Sequence, residues 1–296
     1  MLKLLRSAVA ALTLLLVPVT PAPAQTIRDV DPALWVVKDA DTTLYLFGTV
    51  HMLKPGLGWF DDGVRAAFDA SDELAMEVIA PSDAEMQAIV MRTAFNRDGP
   101  TLTMRLPENR RADFARALGS IGMPPQAMDK AKPWFAAMML GAMPMTRLGY
   151  DPALGVEPIL TAAARAGGKR LVGLETPEEQ FGMFDAAPEE AQIAYLLRVI
   201  DQMDKIAPML DDMLGRWSAG DADGVGELLN LSLAESPMLA KRILFDRNAR
   251  WADWIEQRLK TPGKVFFAVG GGHLGGPGNV RALLAARGIF ARRVAY

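Results

Sequence analysis

Apolar residues along the chain follow two rhythms. Near both ends they form short aromatic and β-branched runs: LWVVK (34–38), TLYLFGT (43–49), ELAMEVI (73–79), KVFFAVG (264–270) and IFARRVA (289–295). Such runs, bounded by Gly, Pro or Asp, predict strands. Asp39-Ala40-Asp41 supplies a turn between the first two. From about residue 82 to 260 the spacing becomes helical, interrupted only by a short buried run at 170–174. A first helix is expected at 61–70, where Val64, Ala67 and Phe68 share a face. Further helices are expected at 110–118, 132–143, 154–166, 177–184, 188–203, 208–219, 222–231, 237–260 and 279–287. Ser82 with Glu85, and Thr176 with Glu179, have the spacing of capping boxes.

Short strands at opposite ends of a chain must pair to bury their faces, because an isolated hairpin is marginal. The pattern therefore predicts an α/β (α+β) domain over 25–296. Its mixed central sheet is built from strands at both chain ends, and the long helical middle, roughly 82–260, packs on it.

Composition narrows the chemistry. The chain has 296 residues, half of them apolar, a formal net charge of −3, no Cys and two His. Such a balance argues for a packed core and against disorder. The slight acidic excess excludes broad nucleic-acid binding. Without Cys there is no disulfide, thiolate nucleophile or Cys-based zinc site. Residues 1–24 read as a signal peptide: Lys3 and Arg6 precede an apolar run at 8–17, and Ala22-Pro23-Ala24 is an A-x-A cleavage pattern. Ten apolar residues are too few to span a bilayer, and no later run is long enough. Cleavage after Ala24 would place the chain in the periplasm or outside the cell.

Any imidazole chemistry must use His51 or His273, and both occupy one local setting. Each follows an apolar strand and a Gly-x-x-His step, from Gly48 to His51 and from Gly270 to His273. Ligands in open α/β sheets bind beyond the strand ends, and Gly allows the sharp exit and a close approach there. Two such loops can bring two imidazoles to one rim as metal ligands. A third protein ligand must then be a carboxylate. Glu77 is the first candidate, since it interrupts a run otherwise made for burial and a buried charge needs a partner. Glu157, after Gly155-Val156, and Glu175, after the 170–174 run, are further candidates. Glu73 reads as a solvated charge at the entry of its strand.

These motifs have a familiar arrangement. FGTVHML (47–53), the run holding Glu77, GVE (155–157), GLETPEEQ (173–180), RNARW (247–251) and VGGGHLGGPGNVRALLAARG (269–288) resemble the TraB/GumN family, which includes exported GumN-like proteins and the animal Tiki proteins. The likeness runs over nearly all of 27–296, and the paired Gly-x-x-His motifs are its most specific part. The resemblance implies a metal-dependent hydrolase acting on peptide or small ester-like substrates, since Tiki proteins are metal-dependent peptidases. It marks Gly48 and Gly270 as motif residues at the bound cofactor. His51, His273 and Glu77 would hold a divalent ion, with Mn, Co and Zn all suited to two nitrogens and oxygen donors. Glu77 and Glu157 are the candidate carboxylates for proton transfer, and Arg247 for stabilising an oxyanion. The wider superfamily also has haem- and iron-binding members, so the alternative is a non-catalytic metal or haem-iron binder of the cell envelope. Met138, Met139, Met143 and Met145 read as adaptable packing or as an apolar substrate groove.

Overall fold

A computed structural model describes residues 27–233 and 236–296; the expected signal peptide lies outside the described residues. The expected α/β architecture is present. Its strands are β1 (Arg28–Asp29), β2 (Leu34–Lys38), β3 (Thr42–Thr49), β4 (Leu57–Gly58), β5 (Glu73–Met76), β6 (Arg170–Gly173), β7 (Gly263–Gly270) and β8 (Arg292–Arg293). Six of them form a mixed sheet in the order β6-β5-β7-β3-β2-β8, and β1 and β4 make a small parallel pair. β6, β5, β7 and β3 run parallel, while β2 runs antiparallel to both β3 and β8.

Strand β7 lies between β5 and β3, so the last long strand is central. Its unbroken apolar run fits a strand covered on both faces. Val265, Phe267 and Val269 point to one face, where Trp251, Ile255 and Leu284 pack. Phe266 and Ala268 point to the other, against Phe47, Phe68, Leu160 and Trp217. Side-chain alternation along a strand thus makes two cores from one run.

The helices are α1 (Asp62–Asp69), α2 (Asp83–Thr93), α3 (Leu102–Arg105), α4 (Arg111–Ser120), α5 (Pro133–Arg147), α6 (Val156–Ala166), α7 (Pro177–Asp185), α8 (Glu189–Asp201), α9 (Ile206–Ser218), α10 (Ala222–Leu233), α11 (Pro237–Ala240), α12 (Asp246–Arg258) and α13 (Val280–Ala285). The middle of the chain builds a third core around Leu102, Phe114, Leu118, Leu140 and Leu196. None of the helices is long and apolar enough to cross a membrane, among the described residues.

Three expectations are corrected. The 73–79 run forms a strand only to Met76, so Glu77 sits just past the strand end. The 237–260 segment is divided by a π-helical turn at Lys241–Phe245 between α11 and α12. Glu73 is not solvated. It is buried, and Arg170 and Arg258 pair with it across the start of the sheet.

Candidate functional site

Four adjacent parallel strands end on one side of the sheet, and each end delivers a chemical group. β3 leads to His51, β7 to His273, β5 to Glu77 and β6 to Glu175. Ladder registers align these ends, with Thr49 opposite Gly270 and Met76 opposite both Ala268 and Gly173. The carboxyl ends of parallel strands are where open α/β sheets bind ligands.

The two motif glycines hold the ends close together. A Cβ on Gly48 would lie 3.0 Å from the Cα of Gly271, and one on Gly270 would lie 3.1 Å from Oε1 of Glu77. The Gly270 amide donates to that same oxygen at 2.7 Å. Both glycines thus serve the close approach of backbone and carboxylate. Glu77 Oε2 accepts from Gln180 Nε2 at 3.0 Å and from the Arg247 guanidinium. Burial pushes its pKa up, but Arg247, His273, His51 and the Gly270 amide outweigh that and hold it near 2. Glu77 is therefore ionised at any ordinary pH.

His273 is 5 % exposed. Asn248 Nδ2 donates to the Gly278 carbonyl, which turns Asn248 Oδ1 toward His273 Nδ1 at 2.7 Å. The ring must therefore carry its proton on Nδ1. Its Nε2 faces Arg247 Nη1 at 3.1 Å and Glu77 Oε1 at 3.8 Å. Trp251 packs against the ring with centroids 4.5 Å apart. Burial lowers the His273 pKa to about 3, Arg247 and His51 add to the fall, and Glu77 opposes it.

His51 has the opposite setting. Its side chain is 72 % exposed, and its Nδ1 lies 2.7 Å from Glu157 Oε1, which also accepts from Thr49 Oγ1. Attraction to Glu157, with the hydrogen bond between them, raises the His51 pKa to about 9. Burial raises the Glu157 pKa, but the His51 charge and hydrogen bond and the Thr49 hydroxyl bring it below the ordinary value. Glu157 lies in the first turn of α6, where the helix dipole also favours a carboxylate.

Arg247 connects the site. Its Nε and Nη2 bond Glu175, its Nη2 bonds Glu77, and its Nη1 bonds the Ile243 carbonyl in the π turn. Burial works against this charge, and the Glu77 and Glu175 carboxylates more than offset it. Arg250 also pairs with Glu175.

Of the expected site residues, His51, Glu77, Arg247, Gly270 and His273 line one cavity of about 490 Å³. Gly48 and Glu157 stand behind it. Glu157 thus orients His51 from outside the cavity, whereas Glu77 faces it. Thr49, Gln180 and Trp251 were not foreseen as partners. Thr49 lies inside the first motif and Gln180 inside the GLETPEEQ segment, so motif membership was the one signal available.

The donor types suit a divalent ion. Both imidazoles are tied through Nδ1 to a protein oxygen, as metal-binding histidines are, so Nε2 is the nitrogen each would offer a ligand. A cation already stands against two of the donors: the Arg247 guanidinium meets both His273 Nε2 and Glu77. In this arrangement no three His, Asp or Glu side chains converge on one ion, among the described residues. Binding one through His51, His273 and Glu77 would displace Arg247 from His273 Nε2 and Glu77, leaving it its bonds to Glu175.

Comparison with known proteins supports the motif reading. The TraB/PrgY/gumN family profile matches residues 33–293. The chain is 24% identical over 254 residues to the uncharacterised protein YbaP of Escherichia coli (strain K12), covering 86% of this chain and 92% of that one. YbaP of Shigella flexneri matches to the same extent. An uncharacterised Treponema pallidum (strain Nichols) protein is 21% identical over 270 residues, covering 86% of this chain and 80% of that one. No solved structure matches the chain.

Proposed function

Because the chain belongs to the TraB/PrgY/gumN family, we propose that it is a metal-dependent hydrolase of peptide or ester bonds. The observation that carries this reading is the common anchoring of the two histidines. Each has Nδ1 at a protein oxygen, so Nε2 is the nitrogen it would offer a metal, and both residues line the cavity that Glu77 also lines. The segment at 1–24 supports a role in the periplasm or outside the cell.

His51, His273 and Glu77 would hold the ion. When bound, a divalent ion supplies a water of near-neutral pKa as nucleophile and polarises the scissile carbonyl. The protein's own groups do the rest. Glu157 and Asn248 fix the two rings, while Gly270 N–H and Gln180 fix Glu77. Arg247 would supply a buried guanidinium to the negative charge that develops on the carbonyl oxygen.

Metal analysis of the purified protein tests this reading. The wild type is expected to retain a divalent ion that the double variant His51→Ala, His273→Ala does not. Asn248→Ala keeps the ligands but frees the His273 ring, and is expected to weaken metal affinity about 10–100-fold. Equal metal content in wild type and double variant overturns the proposal. Retained metal without turnover on any ester or peptide moves it to the alternative, a non-catalytic metal binder.

A further inference from the structure

The cavity has one polar end, and the rest of its wall is apolar. Of the described residues that line it, only His51, Glu77, Arg247 and His273 are ionisable, and all four belong to the strand-end cluster. The apolar part of the lining contains Met138 and Met145 from α5, Met183 from α7, and Met209 and Met213 from α9. Leu229 of α10 and Ile243 of the π turn continue it. A methionine wall is flexible and polarisable and adapts to apolar ligands of varied shape.

We propose that this wall receives the hydrocarbon chain of an acyl compound, whose carbonyl lies at the cluster. The inference rests on the hydrolytic reading of the cluster and names its substrate class. Three observations support an acyl chain over a peptide. First, an extended peptide has an N–H and a C=O on every residue, and each needs a partner when buried. The methionine, leucine and isoleucine wall offers no such partner, whereas a hydrocarbon chain requires none. Second, no charged side chain stands among the wall's described residues to meet a charged terminus or side chain. Third, a cavity of about 490 Å³ falls within the range of small-molecule sites and would be left mostly empty by one apolar amino-acid side chain.

Binding of methyl ketones from butanone to decanone tests the proposal. They keep the carbonyl and the chain but cannot be hydrolysed, so calorimetry reads binding without turnover. Affinity is expected to rise about fourfold for each added methylene until the wall is filled. Two variants check that the wall is responsible. Met209 is 42% exposed at the rim, so Met209→Glu tests the wall with little risk to folding. Met213→Gln tests it deeper on the same helix. Each is expected to flatten the dependence on chain length and leave butanone binding unchanged. Affinity independent of chain length overturns the proposal. So does tighter binding of a capped leucine dipeptide amide than of a ketone with as many carbons. The two readings fail separately. Length-dependent binding in a protein that holds no metal removes the hydrolase reading and keeps the acyl site. Length-independent binding in a metal-loaded, active protein does the reverse.

Discussion

His51 and His273 are the same side chain in opposite charge states, and their surroundings set the difference. His51 lies against the carboxylate of Glu157, with a pKa near 9, and carries a proton at pH 7. His273 is buried beside a guanidinium, with a pKa near 3, and is neutral. A chain with two histidines gives a two-ring nitrogen NMR spectrum. In the metal-free protein at pH 7 that spectrum is expected to show one imidazolium and one neutral Nδ1–H ring. Glu157→Gln is expected to bring the imidazolium's titration down toward 6.5; a ring still titrating near 9 would remove Glu157 as the cause. The folded His51 value is the raised one. Its contribution to stability is therefore complete below about pH 6.5 and is lost as pH rises through 9. Because the ring is 72 % exposed, solvent screens the pair and the stabilisation is small. Metal ligation needs the neutral ring, so metal affinity is expected to rise with pH up to about 9. The motif histidines and Glu77 were legible because strand-Gly-x-x-His and a carboxylate in an apolar run are local patterns. The work of Thr49, Gln180 and Asn248 was not, because a hydroxyl or amide gains its role only from the strand end that comes to lie beside it.

At the scale of elements, local chemistry was the easiest part to read. Both expected capping boxes form: Ser82 and Glu85 at α2, and Thr176 and Glu179 at α7. α7 carries Gln180, which holds Glu77, and Met183 of the cavity wall. Thr176→Ala is expected to cost about 1 kcal/mol, measured as a lower denaturant midpoint with unchanged slope. An unchanged midpoint would show that tertiary packing alone holds α7 in place. Strand lengths were less legible, since the apolar residues of 73–79 continue past Glu77 and only the ladder with β6 and β7 ends at Met76. The π turn left no trace in the helical pattern either. One extra residue per turn keeps the same side-chain types, and its effect appears only in where Arg247 lands.

At the scale of the molecule, the two-ended origin of the sheet followed from a simple need: short runs far apart must bury each other. The order of the strands did not follow, nor did the placement of the helical middle over their ends. Both depend on which buried faces fit, which no single segment encodes. The outcome is a division of labour. The chain ends supply His51, Glu77 and His273, and α5, α7, α9 and α10 supply the wall.

The central position of β7 also bears on when the protein can exist as a folded object. β5 and β3 each pair with β7 and not with each other. Before residues 263–270 join, the sheet is two separate two-stranded pieces, which are marginal alone. Pairing β3 with β7 closes a loop of most of the chain, a slow step in folding. A chain ending at Pro262 is therefore expected to show no cooperative thermal transition and to be cut rapidly by proteases. A sharp transition in that fragment would show that the helical middle folds without the strand. In the intact chain the sheet and its pocket arise together and late, so a ribosome still short of residue 270 carries no partly formed pocket.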